Sequence, residues 1–291
     1  MLLKKTKIFL EMIKIEHTLF ALPFAFMGAI LGSIVMTNHL PGWAAIGWII
    51  LAMVGARSAA MGLNRVIDKV FDGKNPRTAA RAIPAGLISS KEAIIFIVIS
   101  FVLLFWATSN LSSLSMKLLP VAVFFLVFYS YTKRFTWACH LILGLTLGLA
   151  PLGGWVAVTN DISWAAIVFY VSVSFWTAGF DVIYACQDTE FDKNEGLHSI
   201  PQRFGVAKAL RIARWFHVIT AVGLIVLFYL TDLSWIYLIG ILIANLLLFY
   251  QHKIVNPTNL SRVNIAFFTL NSILSSVVFI FTLADLVVLH K

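Results

Sequence analysis

Residues 42–86 read GWAAIGWIILAMVGARSAAMGLNRVIDKVFDGKNPRTAARAIPAG and change character half-way along. From Gly42 to Leu63 the stretch is apolar except for Arg57 and a few small residues. That length suffices for a helix to cross a hydrocarbon core, which takes about 20 residues. Past Leu63, Asn64, Asp68 and Asp72 recur at every fourth position. On a continuous helix they share one face. Carboxylates at that spacing repel by a few tenths of a kcal/mol per pair unless a cation lies against them. A solvated helix end is the plainer account of one such triplet taken alone.

The flanking sequence repeats the apolar pattern. Of 291 residues, 60% are hydrophobic and 12% charged, with a mean hydropathy of +0.91, which is the composition of a lipid-exposed chain. Nine segments are long enough to span a bilayer: 18–36, 42–63, 93–110, 117–132, 137–158, 164–186, 209–230, 233–250 and 265–288. Together they predict an all-α integral membrane bundle, partnered by the lipid bilayer. A net charge of +9 raises nucleic acid as a partner, but that needs a basic face on a soluble domain, and no apolar-free stretch is long enough to form one.

Topology accounts for the charge instead. With nine spans, one side of the membrane receives Lys4, Lys5, Lys7 and Lys14, the cations from Arg65 to Lys91, Lys133, Arg134, those from Lys193 to Arg214, Lys253 and Arg262. The other side receives only Lys117 and Lys291. The positive-inside rule therefore places the N-terminus and the charged loops in the cytoplasm and the C-terminus outside, in a multi-pass protein of a bacterial inner membrane. No small-residue cleavage site follows the first apolar run, so the N-terminus is read as retained. Cys139 and Cys186 have no metal-ligand spacing and read as small buried hydrophobes.

A second acidic cluster answers the first. In FDVIYACQDTEFDKNEG, Asp188 and Asp192 are four apart, and Tyr184 and Asp181 extend the stripe backwards into the sixth span. An ionisable side chain at that depth is costly and usually faces a polar cavity. Both clusters close even-numbered spans separated by four helices, which predicts an internal repeat (helices 1–4 and 5–8) whose acidic faces meet across a central cavity. Carboxylates and an amide make a hard-oxygen site suited to Mg²⁺, which takes one or two protein carboxylates and completes its shell with water and phosphate. Arg65, Lys69, Lys74, Arg77 and Arg81 surround the first cluster, where they can neutralise phosphate charge, though positive-inside topology alone accounts for part of this set.

The pattern Asn64-x₃-Asp68-x₃-Asp72, its continuation NPRTAARAIPAG, and the block DVIYACQDTEFDKNEGLHSIPQRFG resemble the two signatures of the UbiA-type intramembrane aromatic prenyltransferases. The resemblance covers nearly the whole chain and implies a single transmembrane prenyltransferase domain over residues 1–291. It implies a helical bundle around a central cavity open to lipid, Mg²⁺ as cofactor, and two substrates: a polyprenyl diphosphate and a small aromatic acceptor of the 4-hydroxybenzoate type. It further implies that Asn64, Asp68, Asp72, Asp188 and Asp192 hold the metal and diphosphate, the four aspartates being catalytic. Arg65, Arg77, Arg81, Lys133, Asp181 and Tyr184 would bind substrate, with Arg134 beside Lys133. The mechanism implied is electrophilic substitution: charge leaves on the diphosphate, the allylic carbon becomes cation-like, and the ring attacks it.

Two further features bear on function. Gly144, Gly148, Gly153 and Gly154 in the fifth span are expected to permit close helix approach rather than to touch substrate. The first span reads IKIEHTLFALPFAF, with Glu16 and His17 where 4-hydroxybenzoate enzymes tend to carry Arg-x-x-x-Pro-x-Gly, which admits a menaquinone-pathway acceptor, futalosine-type or naphthoate. A cation-coupled transporter would explain intramembrane acids but not paired motifs with adjacent arginines. A scaffold explains neither.

Overall fold

The computed structural model describes residues 2–13 and 15–289. The side chains of Glu16 and His17, like Lys14 and Lys291, lie outside the described residues. A short helix, α1 (Leu2–Met12), precedes α2 (Ile15–Thr37), α3 (Trp43–Ile67), α4 (Lys69–Lys74), α5 (Ser90–Ser109) and α6 (Ser113–Thr132). Then follow α7 (Cys139–Thr159), α8 (Trp164–Ala185), α9 (Thr189–Asn194) and α10 (Ile200–Phe204). The chain closes with α11 (Val206–Leu230), α12 (Trp235–Ile254) and α13 (Asn271–Leu289), the last entered through a π-helical stretch, Ile265–Leu270. Among the described residues no strand forms. Among the described residues eight helical elements are long and apolar enough to cross a membrane, and α2 adds a shorter apolar stretch, Leu22–Thr37. The protein is an integral, multi-pass, all-helical membrane protein, as the sequence predicts.

Helix ends follow local chemistry more than hydropathy. The third expected span starts at residue 93, yet α5 begins at Ser90 because Ser89 and Glu92 form a capping box: Glu92 N–H donates to Ser89 Oγ at 3.2 Å and Ser89 N–H to Glu92 Oε2 at 2.9 Å. Lys5 pairs with the same Glu92, tying α1 to α5. Ser112, Ser163 and Ser234 cap α6, α8 and α12 through their hydroxyl oxygens alone. The α12 cap is reinforced by Asp285, wholly buried in α13, which accepts from Ser234 N–H and Oγ–H and from Tyr237 N–H. This buried acid is fully satisfied, so its role is structural.

The largest core lies between α2, α7, α8, α11, α12 and α13, around Trp155, Phe169 and Tyr237. By contrast α5 turns Ile95, Val98, Ile99, Val102 and Phe105 outward, where a bilayer would cover them. Glycines set the closest contacts of α7. A Cβ on Gly154 would lie 2.1 Å from Ala25 O on α2, and one on Gly144 would lie 2.3 Å from Ser174 O on α8. Gly148 is equally closed, against Ser174 Oγ at 2.1 Å. Gly153 departs from expectation: nothing lies within 4 Å of its Cβ position, because it faces the central cavity.

The π-helical stretch departs from a regular final span. Its loosened carbonyls find side-chain donors: Gln251 Nε2 donates to Ala266 O at 2.9 Å, and Asn271 Nδ2 to Ala266 O at 3.2 Å and Phe267 O at 2.9 Å. Trp176 and Gln251 in turn donate to Asn271 Oδ1, at 3.1 and 2.7 Å. This network holds an irregular turn within a membrane helix, and the turn brings Phe267 and Phe268 to the cavity wall.

Candidate active site

Each acidic motif is a long helix broken at its first aspartate. Asp68 has φ −91° and ψ 5°, ends α3 and begins α4. Asp188 has φ −99° and ψ 5°, ends a 3-10 turn, Cys186–Asp188, and begins α9. The continuous four-residue stripes expected from spacing are therefore interrupted at matching points. Backbone groups freed at the breaks are taken up locally: Arg134 Nη2 donates to Ile67 O at 2.6 Å, and Thr189 Oγ1 to Cys186 O at 2.9 Å.

Asn64, Asp68, Asp72 and Asp188 line one cavity of about 650 Å³, together with Arg65, Arg77, Arg81, Lys133, Asp181 and Tyr184. Asp192 does not. It is 0% exposed and sits behind Lys133, with Lys133 Nζ at 2.7 Å from Oδ1 and Ser199 Oγ donating to Oδ2 at 2.8 Å. It is thus not beside Asp188 at the cavity, as four-residue spacing on one continuous helix would place it; a 3-10 turn lies between the two helices.

Asp68, Asp72 and Asp188 at the cavity, and Asp192 behind Lys133, each meet a cation. Arg77 clamps Asp188 through Nε at 3.0 Å and Nη2 at 2.5 Å, with Asn75 Nδ2 donating at 3.1 Å. Arg81 holds Asp72 at 2.6 Å, Lys133 holds Asp192, and Arg134 lies 3.4 Å from Asp68. Arg77 and Asp188 come from different acidic motifs, so the loop after α4 physically joins the two. Lys74–Glu195, at 2.6 Å, joins them again. Burial raises the Asp68 carboxyl above its ordinary range, nearby Asp72 raises it further, and Arg134 offsets part of this. For Arg77 and Lys133 burial works against the charge, but the partner carboxylates outweigh it and both are held above their ordinary values.

Deeper in, the cavity turns apolar and aromatic. Tyr184 lies over Phe267 with ring centroids 4.1 Å apart, and Phe180 meets Phe267 edge-on at 5.2 Å. Two polar groups that sequence reasoning left out of the site also line this depth. Arg57 has no hydrogen-bond or ion-pair partner among the described residues, and its Nε is buried unpaired. A charge inside an apolar span was the available signal for it. His140, in the first turn of α7, bonds Asp181 at 2.6 Å; nothing in the sequence pairs these two, 41 positions apart.

The donor set fits a hard cation. Among the described residues no three His, Cys, Asp or Glu side chains converge on one point. Mg²⁺ asks for less: one or two carboxylates, the remaining positions going to water and phosphate. Asp72 Oδ2 is buried without a partner, and Asp68 and Asn64 lie a turn away on the same wall, Asn64 Nδ2 donating to Asp68 Oδ2 at 2.7 Å.

Comparison with known proteins settles the family. The model of the UbiA prenyltransferase family matches residues 21–273. The chain belongs to the UbiA prenyltransferase family. It is thus a membrane-embedded transferase. Among its relatives, a 4-hydroxybenzoate octaprenyltransferase of Aliivibrio fischeri (strain MJ11) is 32% identical over 218 residues, 75% of this chain and 76% of that one. The apo structure of a UbiA homologue from Aeropyrum pernix K1 matches with a TM-score of 0.83 at 29% identity, covering 93% of this chain and 98% of that one. A UbiA homologue from Archaeoglobus fulgidus bound to GPP and Mg²⁺ shares the fold, with a TM-score of 0.77 at 19% identity over 96% and 99% of the two chains.

Proposed function

We propose that this UbiA-family protein transfers a polyprenyl group from its diphosphate to a small aromatic acid of the 4-hydroxybenzoate type, with Mg²⁺ as cofactor. The observation that carries this reading is one continuous cavity with a charged mouth, an aromatic middle and an unpaired Arg57 in its wall. A diphosphate, an allylic chain and an aromatic carboxylate need those three environments in one chamber. Names borne by the relatives support the acceptor class, and the GPP and Mg²⁺ bound by the Archaeoglobus homologue support the donor class.

Asp68, Asp72 and Asn64 would hold Mg²⁺ on one side of the mouth and Asp188 on the other. Bound there, the metal supplies positive charge against the leaving diphosphate. Arg77 and Arg81 exchange their carboxylates for phosphate oxygens as the donor enters, and Arg65 adds charge behind them. Lys133, held from behind by Asp192, meets the diphosphate from the α6 side. The ring faces of Tyr184, Phe180 and Phe267 stabilise the cation-like allylic carbon and exclude water from it. Arg57, whose guanidinium has no counter-ion among the described residues, would hold the acceptor carboxylate, since such a group gains most from an anion of matching geometry.

The charge distribution supports a cytoplasmic N-terminus, cytoplasmic motif loops and an external C-terminus in a bacterial inner membrane. Reporters fused after residues 75 and 195 are then cytoplasmic, and one fused at Lys291 external. The matching breaks at Asp68 and Asp188 support an internal repeat within a single domain. The test of function is purified protein in lipid nanodiscs, given a polyprenyl diphosphate and a panel of aromatic acids with Mg²⁺ or chelator. Mg²⁺-dependent prenylation of a hydroxybenzoate is expected. Binding of the donor unchanged by chelator, with no acceptor modified, would favour the transporter reading.

A further inference from the structure

One glycine of α7 is not accounted for by helix packing. A Cβ on Gly144, Gly148 or Gly154 would lie 2.1–2.3 Å from an atom of α2 or α8, so close helix approach requires all three. At Gly153 nothing lies within 4 Å, although a glycine weakens a helix interior. Cys139, Leu143, Thr146, Ala150, Gly153 and Ala157 follow one another at spacings of three and four along α7, and all of them line the cavity. Gly153 therefore lies on the inward stripe of the helix. It is fourteen residues past Cys139, about 21 Å along the helix at 1.5 Å per residue. Met53, fifteen residues before Asp68 on α3, and Leu119, fourteen before Lys133 on α6, line the cavity at matching depth. Beyond that level the chamber continues: Leu111, Ala157 and Ile162 line it, and Ile162, 39% exposed, lies past the end of α7.

We propose that Gly153 sets the length of prenyl donor the chamber accepts, by keeping open the passage through which isoprene units beyond about the fourth reach its far end. This rests on the prenyltransferase reading given above. An isoprene unit has four main-chain bonds and extends about 4.5 Å, just as a polypeptide residue with three extends about 3.4 Å. About four units therefore separate a diphosphate at the mouth from the level of Gly153. A geranyl chain, with two, stops well short of that level. An octaprenyl chain has to run past it. A helical side chain leans toward the N-terminus of its helix, so one added at 153 would project into the chamber and back toward the mouth, across this path. Met53 and Leu119 already occupy wall at the same level, which leaves the glycine as the open side of the passage.

The test gives wild type, Gly153→Ala, Gly153→Leu and Gly153→Phe in nanodiscs either geranyl or octaprenyl diphosphate, with Mg²⁺ and the panel of aromatic acids. Wild type is expected to transfer both chains, and Gly153→Ala to match it, because the added Cβ meets nothing. The leucine and phenylalanine variants are expected to keep geranyl transfer, which also shows that they are folded. With the octaprenyl donor they should lose about tenfold or more in kcat/KM, the discrimination that one surplus methylene group brings in an apolar pocket. The loss should lie in KM, since the far end of the chain makes the same contacts before and during bond breaking. If the phenylalanine variant loses both donors, the leucine variant decides. Equal loss of both donors in Gly153→Leu, or octaprenyl transfer untouched in both larger variants, overturns the length role while leaving prenyl transfer intact. A wild type confined to one of the two donors overturns it too, because an open passage admits either. A wild type that transfers neither chain to any of the acids overturns the reading beneath it.

Discussion

Around Asp68 the first acidic motif is open: the Asp68 side chain is 28% exposed and its nearest cation lies at 3.4 Å, while Asp72 keeps one oxygen unpaired. Around Asp188 the second motif is closed, with Arg77 gripping that carboxylate twice and Asp192 wholly buried behind Lys133. The backbone break is the same in both. What differs is how closely the cations hold, 3.4 Å from Asp68 against a two-pronged grip on Asp188, and so the part each motif can play. Asp72, with one oxygen free beside Arg81, can meet a metal as it stands; Asp188 does so only once Arg77 lets go, and Asp192 chiefly fixes Lys133.

Mutations can break this comparison in order of effect. Asp68→Ala should lower turnover by about 10³-fold or more, as losing one preorganised charge-stabilising group does, with the thermal midpoint in detergent unchanged. Loss of fold together with activity would place Asp68 among the structural acids. Asp192→Ala should do the reverse, removing the partner of a partly exposed Lys133 and leaving Ser199 without its acceptor, at a cost of about 1–3 kcal/mol of stability, read as a lowered thermal midpoint. A stable but inactive Asp192→Ala protein would return that residue to the metal site. Arg77→Lys keeps the charge but loses the two-pronged grip, so donor KM should rise about tenfold with kcat little changed. Asn64→Ala removes a neutral ligand and should cost less than Asp68→Ala, about fivefold to tenfold in rate. An equal loss would give Asn64 a different role. Metal and donor should also depend on each other: by linkage, whatever factor Mg²⁺ adds to donor affinity in calorimetry, the donor must add to Mg²⁺ affinity.

Much of this molecule is local and therefore legible. Apolar runs of about 20 residues gave the spans, and charge asymmetry gave a consistent pattern of loops, because both depend only on what a bilayer tolerates at each position. Four-residue spacing and flanking arginines marked the two motifs. Helix ends were off where a capping box, such as Ser89 with Glu92, extended a helix beyond its apolar stretch. Gly153 was misread because a small residue looks the same in sequence whether it meets a helix or a cavity.

The sequence by itself determined a membrane-spanning helical chain with two acidic motifs and the chemistry those side chains allow. Tertiary structure decided which of them meet. The chain departs from regular helical geometry at Asp68 and at Asp188, and Asp192 is wholly buried against Lys133 and Ser199 although its spacing places it beside Asp188. The grip of Arg77 on Asp188 spans 111 positions, and the pairing of His140 with Asp181 joins two helices. No periodicity encodes such contacts. They exist because packed helices in a low-dielectric medium leave buried polar atoms few partners, and only the assembled bundle fixes which partner is within reach.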